Sequence, residues 1–483
     1  VGSVEKVMSA WQEFYDQIRD PSWPECATED EFGLLPDHIQ QECQNQFGYV
    51  PKQFAKTSKL INRVFPIHTQ TACQLKWNWS TIYLTTENTA SCHRTNHHKF
   101  DVDVFDFHNT PQKLHDRQRM LDGQWPEKGC NYCRNIEQAG GQSDRITNLN
   151  FPGMHAPPEL DIDSTATQVT PRILEVYFDN TCNLKCLYCG PHFSSLWDAE
   201  NKKHGMFVKG NLVISDKFSK SSSIESNKKK LFAWLKQHGS NLSAFNILGG
   251  EPLYQSELSE CLDLFDQHPA PELKLQIFTN LKVALPKLQT IVDRVKQLVD
   301  NNKIREFEIT ASLDCWGDPQ EYVRYPLVMT QWEQNFEFLV QQKWINLIVS
   351  STVTPLTIKT LPELLEKINE WNKTRTVYHY QNSVNGPSYL EIDIFGDAFA
   401  KDFDRAIALK PGTTPEQQSS KQYLQGIALQ SAGGQPRVDE IIKLFDFLNE
   451  IDRRRNTNWP VTFPWLVDEF AKHNLIKKYE PNS

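Results

Sequence analysis

Three cysteines within eight residues, Cys182, Cys186 and Cys189, directly follow the apolar run 173–178. This pattern constrains the fold more than any other: three thiols on one short loop have to be aimed at a common point by rigid support, and a strand ending at the loop supplies it. The other cysteines stand at 26, 43, 73, 92, 130, 133, 261 and 315, so none follows Cys315. The first twenty residues mix Trp11, Phe14 and Tyr15 with charges and lack the apolar stretch of a secretory leader. No segment approaches the roughly 18 apolar residues of a membrane span. The expectation is a cytoplasmic protein, in whose reducing surroundings cysteines serve as metal ligands or reactive thiols more often than as disulfides.

After residue 170 apolar runs alternate with helical patterns. Candidate strands are 173–178, 244–248, 273–278, 307–313, 345–353 and 377–380; between them 229–238, with Leu231, Trp234 and Leu235 on one face, and 286–299 have helical periodicity. Such alternation predicts an α/β fold with a parallel sheet, and about six units form a partial (β/α)6 TIM barrel whose functional groups gather at the carboxyl ends of the strands.

A chain of 483 residues exceeds one core, and the Pro-rich acidic stretch 157–163 marks a linker. The expected order is an N-terminal extension over 1–70 without a readable motif, a cysteine-bearing domain over 71–156, a linker over 157–170, the barrel over 171–385 and a helical C-terminal extension over 386–483. In the last, Ile441, Leu444, Phe445, Leu448 and Ile451 recur at helical spacing ahead of Arg453, Arg454 and Arg455, whose charge suits a helix C-terminus. Lys228, Lys229 and Lys230 lie in a segment read as a solvated loop and helix start. The net charge of -9 and the lack of a long basic stripe disfavour nucleic acid as a partner.

Three thiolates cannot saturate the four irons of a cubane cluster, so one iron stays open to a small ligand. The alternative is zinc held by the three cysteines and a histidine, although zinc favours paired close ligands. Three further motifs follow in order, each at the end of a candidate strand: Gly249-Gly250-Glu251-Pro252, Thr279-Asn280 and Ser312-Leu313-Asp314. Glycines admit a close ligand approach, and a carboxylate can pair with an ammonium.

Together these residues resemble the radical S-adenosylmethionine (SAM) superfamily, whose cluster motif is C-x3-C-x-Φ-C, with Tyr188 at the aromatic place. The resemblance covers roughly 170–385. It implies a 4Fe-4S cluster on Cys182, Cys186 and Cys189, with the open iron taking the amino nitrogen and carboxylate of SAM. It further implies SAM contacts from Tyr188, Gly249, Gly250, Glu251, Pro252, Thr279, Asn280, Ser312 and Asp314. The glycine and acid that often support adenine at the fifth strand are missing from 348–353.

Upstream, Cys73 precedes the Trp-bearing segment around Trp77 and Trp79, Cys92 sits in Ser91-Cys92-His93-Arg94, and Cys130 and Cys133 form a C-x2-C pair. Four thiolates suffice for a cluster or a zinc ion, and His93, His97, His98, His108 and His115 could supply alternative zinc ligands. The layout resembles the twitch/SPASM-like auxiliary-cluster domains, here placed before the barrel, and implies a second 4Fe-4S cluster. Structural zinc or no metal are the alternatives. Cys26 and Cys43 have no companion pair and are read as isolated buried thiols.

The resemblance implies reductive cleavage of SAM to a 5′-deoxyadenosyl radical that takes hydrogen from a peptide or small polar substrate, with an electron donor such as flavodoxin or ferredoxin. Whether the outcome is oxidation, crosslinking or epimerisation is open at this level. Cys315, Tyr378 and His379, with Tyr380, are candidate catalytic groups beside the radical, core packing being the alternative for each. Competing readings are a radical SAM enzyme acting on RNA or nucleotides, and a non-catalytic iron-sulfur or zinc protein.

Overall fold

A computed structural model of the chain describes residues 71–138, 143, 145, 168–215, 217–384 and 386–476. The extension over 1–70, with Cys26 and Cys43, and most of the linker over 157–170 lie outside these residues. The chain divides into two compact units, one of residues 1–82 and 87–175 and the other of residues 83–86 and 176–483.

In the first unit a short helix α1 (Gln74–Asn78), buried along its whole length, leads into β1 (Trp79–Tyr83). Trp77 thus lies on a helix and Trp79 on the strand. Strands β2 (Asn88–Ala90) and β3 (His98–Lys99) pair antiparallel, with Thr89 opposite His98. Helix α2 (Pro111–Leu121) begins where Pro111 needs no amide partner and the Thr110 hydroxyl accepts from the Lys113 amide; α3 (Asn131–Gln138) follows. The interior joins Trp77, Ile82, Phe107 and Met120 to buried cations. Lys113 Nζ donates to Ser80 Oγ, Thr89 Oγ1 and the carbonyls of Ala90 and Phe107 at 2.8–2.9 Å. Arg117 donates to the carbonyls of Lys76 and His108 and to Asn109 Oδ1. Such polar burial is tolerable because these donors have acceptors.

The second unit is a parallel α/β layer. β4 (Ile173–Tyr177) contributes its last two residues to it, followed by α4 (Ser195–His204), the hairpin β5 (Phe207–Lys209) and β6 (Leu212–Ile214), and α5 (Ile224–His238). The alternation then runs β7 (Ala244–Leu248), α6 (Ser256–Gln267), β8 (Ala270–Thr279), α7 (Leu285–Asp300) and β9 (Ile304–Ser312). It continues with α8 (Asp318–Val323), α9 (Met329–Gln341), β10 (Asn346–Val353), α10 (Leu361–Trp371) and β11 (Tyr378–Ser383). The strands lie in chain order, β4-β7-β8-β9-β10-β11, and the pairings from β7 to β11 are parallel. Sequential parallel order follows from helical crossovers that return each strand beside its predecessor. One face carries Phe245, Ile247, Leu275, Ile277, Phe307, Ile309, Leu347 and Val349, all buried. β8 and β9 begin earlier than their apolar runs, at Ala270 and Ile304, because extended pairing continues through Glu306 and Lys274.

Helices α11 (Ala400–Leu409), α12 (Pro415–Ala432), α13 (Val438–Arg455), α14 (Trp459–Thr462) and α15 (Pro464–Lys472) belong to the same unit as the sheet. The arginines do end α13; Arg453 is exposed, whereas Arg454 and Arg455 are buried, and Arg455 pairs with Glu200 on α4. Lys228 is not solvated, since it bridges Asp179, Glu225 and Glu257. Among the described residues no helix is long and apolar enough to cross a membrane.

Candidate active site

The cysteine triad sits on the loop that leaves β4, and α4 clamps that loop from one side. Cys182 N donates to Ser195 Oγ, Ser194 Oγ donates to the Leu184 carbonyl at 2.6 Å, and Trp197 Nε1 donates to the Cys186 carbonyl at 2.7 Å. From the other side, the amides of Lys185 and Leu187 donate to the carbonyls of Tyr325 and Val323. Arg455 extends the clamp from a distant helix, holding Glu200, which also pairs with Lys185 of the loop, while its guanidinium lies 4.7 Å from the Trp197 ring centre.

Gly249 and Gly250 carry the φ values +83° and +57° at the end of β7. A Cβ on Gly250 would stand 2.2 Å from the Thr181 carbonyl oxygen, so the close approach of this turn to the cysteine loop requires glycine. The Glu251 amide donates to that same oxygen at 2.8 Å. Gln255, a residue the sequence did not single out, ties the two loops together by donating to the carbonyls of Gly249, Thr181 and Asp179.

The Glu251 carboxylate is buried and accepts from Thr279 Oγ1 at 2.7 Å, from the Asn280 amide at 2.7 Å and from the Leu253 amide at 3.1 Å. Burial pushes this carboxyl up to about 7 against the pull of those donors. Three donors leave one of its acceptor positions open. Asn280 Nδ2 bonds Asn183 Oδ1 at 2.9 Å and lies 3.8 Å from Cys182 Sγ. The structure therefore brings Cys182, Gly250, Glu251, Thr279 and Asn280 into one constellation.

A second constellation forms around Asp314. Its two oxygens accept from Tyr188 Oη at 2.6 Å, Arg324 Nε at 2.8 Å, Arg324 Nη2 at 2.9 Å and the Thr352 amide at 2.8 Å. All its acceptor positions are thereby taken, so Asp314 orients Tyr188 and Arg324 and has none spare for a ligand hydroxyl. Arg324, which sequence reasoning missed, also places Nη1 4.0 Å from Cys186 Sγ and lies over the Tyr188 ring. Pro252 is buried at the start of its turn, and Ser312 ends β9 half-buried.

Of the three thiols Cys186 is buried and Cys182 and Cys189 are half-buried. Burial, then the neighbouring Cys186, pushes the Cys182 thiol up, and the same two causes bring Cys189 to about 12; burial raises Cys186 against the Arg324 guanidinium. Protonated, they are poor nucleophiles; iron would displace the protons and offset the repulsion between the resulting thiolates. The donor set fits a cluster.

Of the proposed catalytic groups, strand alternation separates Tyr378 from its neighbour. Tyr378 and Tyr380 are half-buried on the sheet face opposite the helix-packed one. His379 is buried, its Nε2 2.7 Å from Ser351 Oγ and its Nδ1 2.7 Å from Lys410 Nζ. Ser351 donates to the Leu313 carbonyl, so it accepts from His379 Nε2–H, and Nδ1 accepts from Lys410. Cys315 is wholly buried, with Sγ 3.7 Å from Gln320 Oε1. Among the described residues neither His379 nor Cys315 hydrogen-bonds to the cysteine loop.

Within the first unit, Cys73, Cys92, Cys130 and Cys133 line one cavity with Lys76, Arg94, Arg145, Trp125 and Tyr132. Cys73 precedes α1, Cys92 follows β2, and Cys130 and Cys133 flank the start of α3. Burial and the other thiols push Cys73 up, and burial brings Cys130 to about 11 against Lys76. Arg145 donates to Glu137 and to the Ala72 carbonyl, and Lys76 pairs with Asp116 at 2.6 Å. Of the five histidines weighed as zinc ligands, none lines the cavity; His98 bonds Thr110 and His108 bonds Ser80 and the Trp77 carbonyl. Among the described residues no three or more His, Cys, Asp or Glu side chains group to hold a metal ion.

No protein-family model and no curated protein matches the chain. Among solved structures it is similar to native anSMEcpe with bound AdoMet and Cp18Cys peptide, at 16% identity and a TM-score of 0.29 over 47% of this chain and 55% of that one. It is also similar to native anSMEcpe with bound AdoMet and Kp18Cys peptide, at 17% identity and a TM-score of 0.29 over 47% and 56%. The chain thus spans about half the length of the structures to which it is similar.

Proposed function

We propose that the chain is a radical SAM enzyme, with Cys182, Cys186 and Cys189 as the cysteines of a 4Fe-4S cluster and the sheet of the second unit as a partial (β/α)6 barrel. The observation that carries this is the docking of the cysteine loop onto the Gly249–Glu251 turn through the Thr181 carbonyl, at the carboxyl end of the parallel strands. When bound, the cluster supplies the electron that cleaves SAM to methionine and a 5′-deoxyadenosyl radical, the oxidant for a peptide or small polar substrate. The chain's own residues then have separable tasks. Glu251 offers its open acceptor position to an ammonium, which would keep its carboxyl ionised. Thr279 and Asn280 fix that carboxylate. Asp314 anchors Tyr188 of the cysteine loop and holds Arg324 beside Cys186.

The first unit is in this reading a twitch/SPASM-like domain whose four cysteines hold an auxiliary 4Fe-4S cluster. A mononuclear zinc site needs sulfurs within about 4 Å of each other, given Zn–S bonds near 2.3 Å, whereas a cubane gives each thiolate its own iron. Four cysteines lining one cavity supply the four thiolates that a cluster takes. Lys76, Arg94 and Arg145 would offset its negative charge. The protein then works in the cytoplasm with a flavodoxin- or ferredoxin-type donor.

Anaerobic reconstitution with metal and sulfide analysis tests both parts. The expected content is about eight irons per chain, falling to about four when Cys73, Cys92, Cys130 and Cys133 are changed to Ser. SAM should alter the electron paramagnetic resonance spectrum of the remaining reduced cluster. Stoichiometric zinc, or a spectrum indifferent to SAM, overturns the assignment.

A further inference from the structure

Parallel sheets are ordinarily covered on both faces and apolar on both. In the second unit the face opposite the helices is polar. The register aligns Asn246, Gln276, Glu308 and Asn346 across four strands, then Thr310, Ile348 and Tyr378, then Ser312, Ser350 and Tyr380. Several of these residues bond one another: Gln276 Nε2 donates to Thr310 Oγ1 at 3.0 Å, Lys274 Nζ to Glu308 Oε1 at 3.4 Å, and Asn382 Nδ2 to Ser350 Oγ at 3.3 Å. Among the described residues Asn246 Oδ1 has no hydrogen-bond partner, although Asn246 is only 5% exposed. A buried acceptor without a donor on a polar face calls for a ligand that supplies one.

The charge on this face has a sign. Lys274 stands against Glu306 and Glu308, and Tyr380 lies within electrostatic reach of both Glu308 and Glu416. Lys274 is the one ionic partner of Glu308 among the described residues, and its 3.4 Å contact is long for a charge-assisted bond. Tyr378 and Tyr380 lie half-buried on the same face, two strands from Glu308. A largely buried carboxylate whose one ionic contact is long, on a polar face that also carries aromatic side chains, suits an ammonium or guanidinium.

We infer that this polar face seats the substrate and selects one bearing a cationic amine or guanidine side chain, with Glu308 as the specificity-determining residue on the face it shares with Tyr378 and Tyr380. The inference rests on the radical SAM reading only in taking this face as the substrate's place. Asn246 would accept a further donor from the same molecule.

Titration calorimetry on the reconstituted enzyme with SAM tests it, using N-acetyl-L-arginine amide and N-acetyl-L-lysine amide against the neutral isostere N-acetyl-L-citrulline amide. The cationic amides should bind at least about ten-fold tighter than the neutral one. Glu308→Gln should bring the ratio near one, while Lys274→Met, which removes the competing cation, should increase it. These opposite directions separate recognition from a structural role, which would weaken binding in both variants, and melting temperature and iron content check that each variant is folded. Equal binding of citrulline amide, no binding of either cationic amide, or an undiminished preference in Glu308→Gln overturns the inference. Failure of the wild type to cleave SAM would overturn the enzymatic reading instead and leave a measured cation preference standing.

Discussion

Replacing Arg324 with Met should be among the most damaging single changes in the second unit. Its side chain is 9% exposed and that of Asp314 is 0% exposed, and the two form a bidentate pair at 2.8 and 2.9 Å. Methionine preserves bulk but removes two charge-assisted bonds and leaves a buried carboxylate with only the Tyr188 hydroxyl and the Thr352 amide. Breaking one side of a buried ion pair costs about 3–5 kcal/mol. The two surviving donors place this case near the lower end, about 3 kcal/mol, which is a large share of the roughly 5–15 kcal/mol that holds a domain together. Arg324→Lys keeps the charge and loses the fork, so it should cost about half as much. Urea unfolding of the full chain, followed by tryptophan fluorescence, gives the numbers. In a double-mutant cycle with Asp314→Asn the coupling should reach about 2 kcal/mol, because the second change removes the stranded charge. A cost below about 1 kcal/mol for Arg324→Met, or strict additivity, would refute the reasoning.

Two further outcomes are expected. Gly250→Ala forces a Cβ to within 2.2 Å of the Thr181 oxygen at a φ of +57°; it should cost at least about 2 kcal/mol and halve the iron content, whereas Gly190→Ala meets nothing within 4 Å and should stay within about 0.5 kcal/mol. Equal iron loading of the two variants would contradict the tight docking of the loops. His379 is held neutral by burial and by the Lys410 cation, so the unfolded chain gains a proton near pH 6.5 that the native state refuses. Its contribution is present above that pH and lost below it, about 1.4 kcal/mol between roughly pH 7.5 and 5.5. His379→Gln should flatten the urea-midpoint profile by that amount, and an unchanged profile would show that His379 titrates normally.

What was legible in the sequence is what local geometry encodes. Gly249 and Gly250 need positive φ, and three cysteines at short spacing share a loop, so both constellations announce themselves in a few consecutive residues. The strands were legible as apolar runs because their helix-packed face is apolar. Their true starts were hidden where the other face is polar, as at Glu306. The groups that hold the site in place were not legible: Gln255, Arg324 and Arg455 come from α-helical or turn segments far along the chain and look like ordinary surface residues until the fold pairs them with Thr181, Asp314 and Glu200. The face on which His379 falls depends on strand register, which a run as short as 377–380 does not fix. Likewise the Asp314 motif was visible, but its saturation by four donors was not.

The most direct test of the central claim is formation of 5′-deoxyadenosine from SAM by the anaerobically reconstituted chain with dithionite as reductant. The account predicts 5′-deoxyadenosine and methionine in equal amounts from the wild type, still formed when Cys73, Cys92, Cys130 and Cys133 are changed to Ser. It predicts none from Cys186→Ala. Absence of deoxyadenosine from wild-type protein that carries its full iron, or its undiminished formation by Cys186→Ala, would contradict the account.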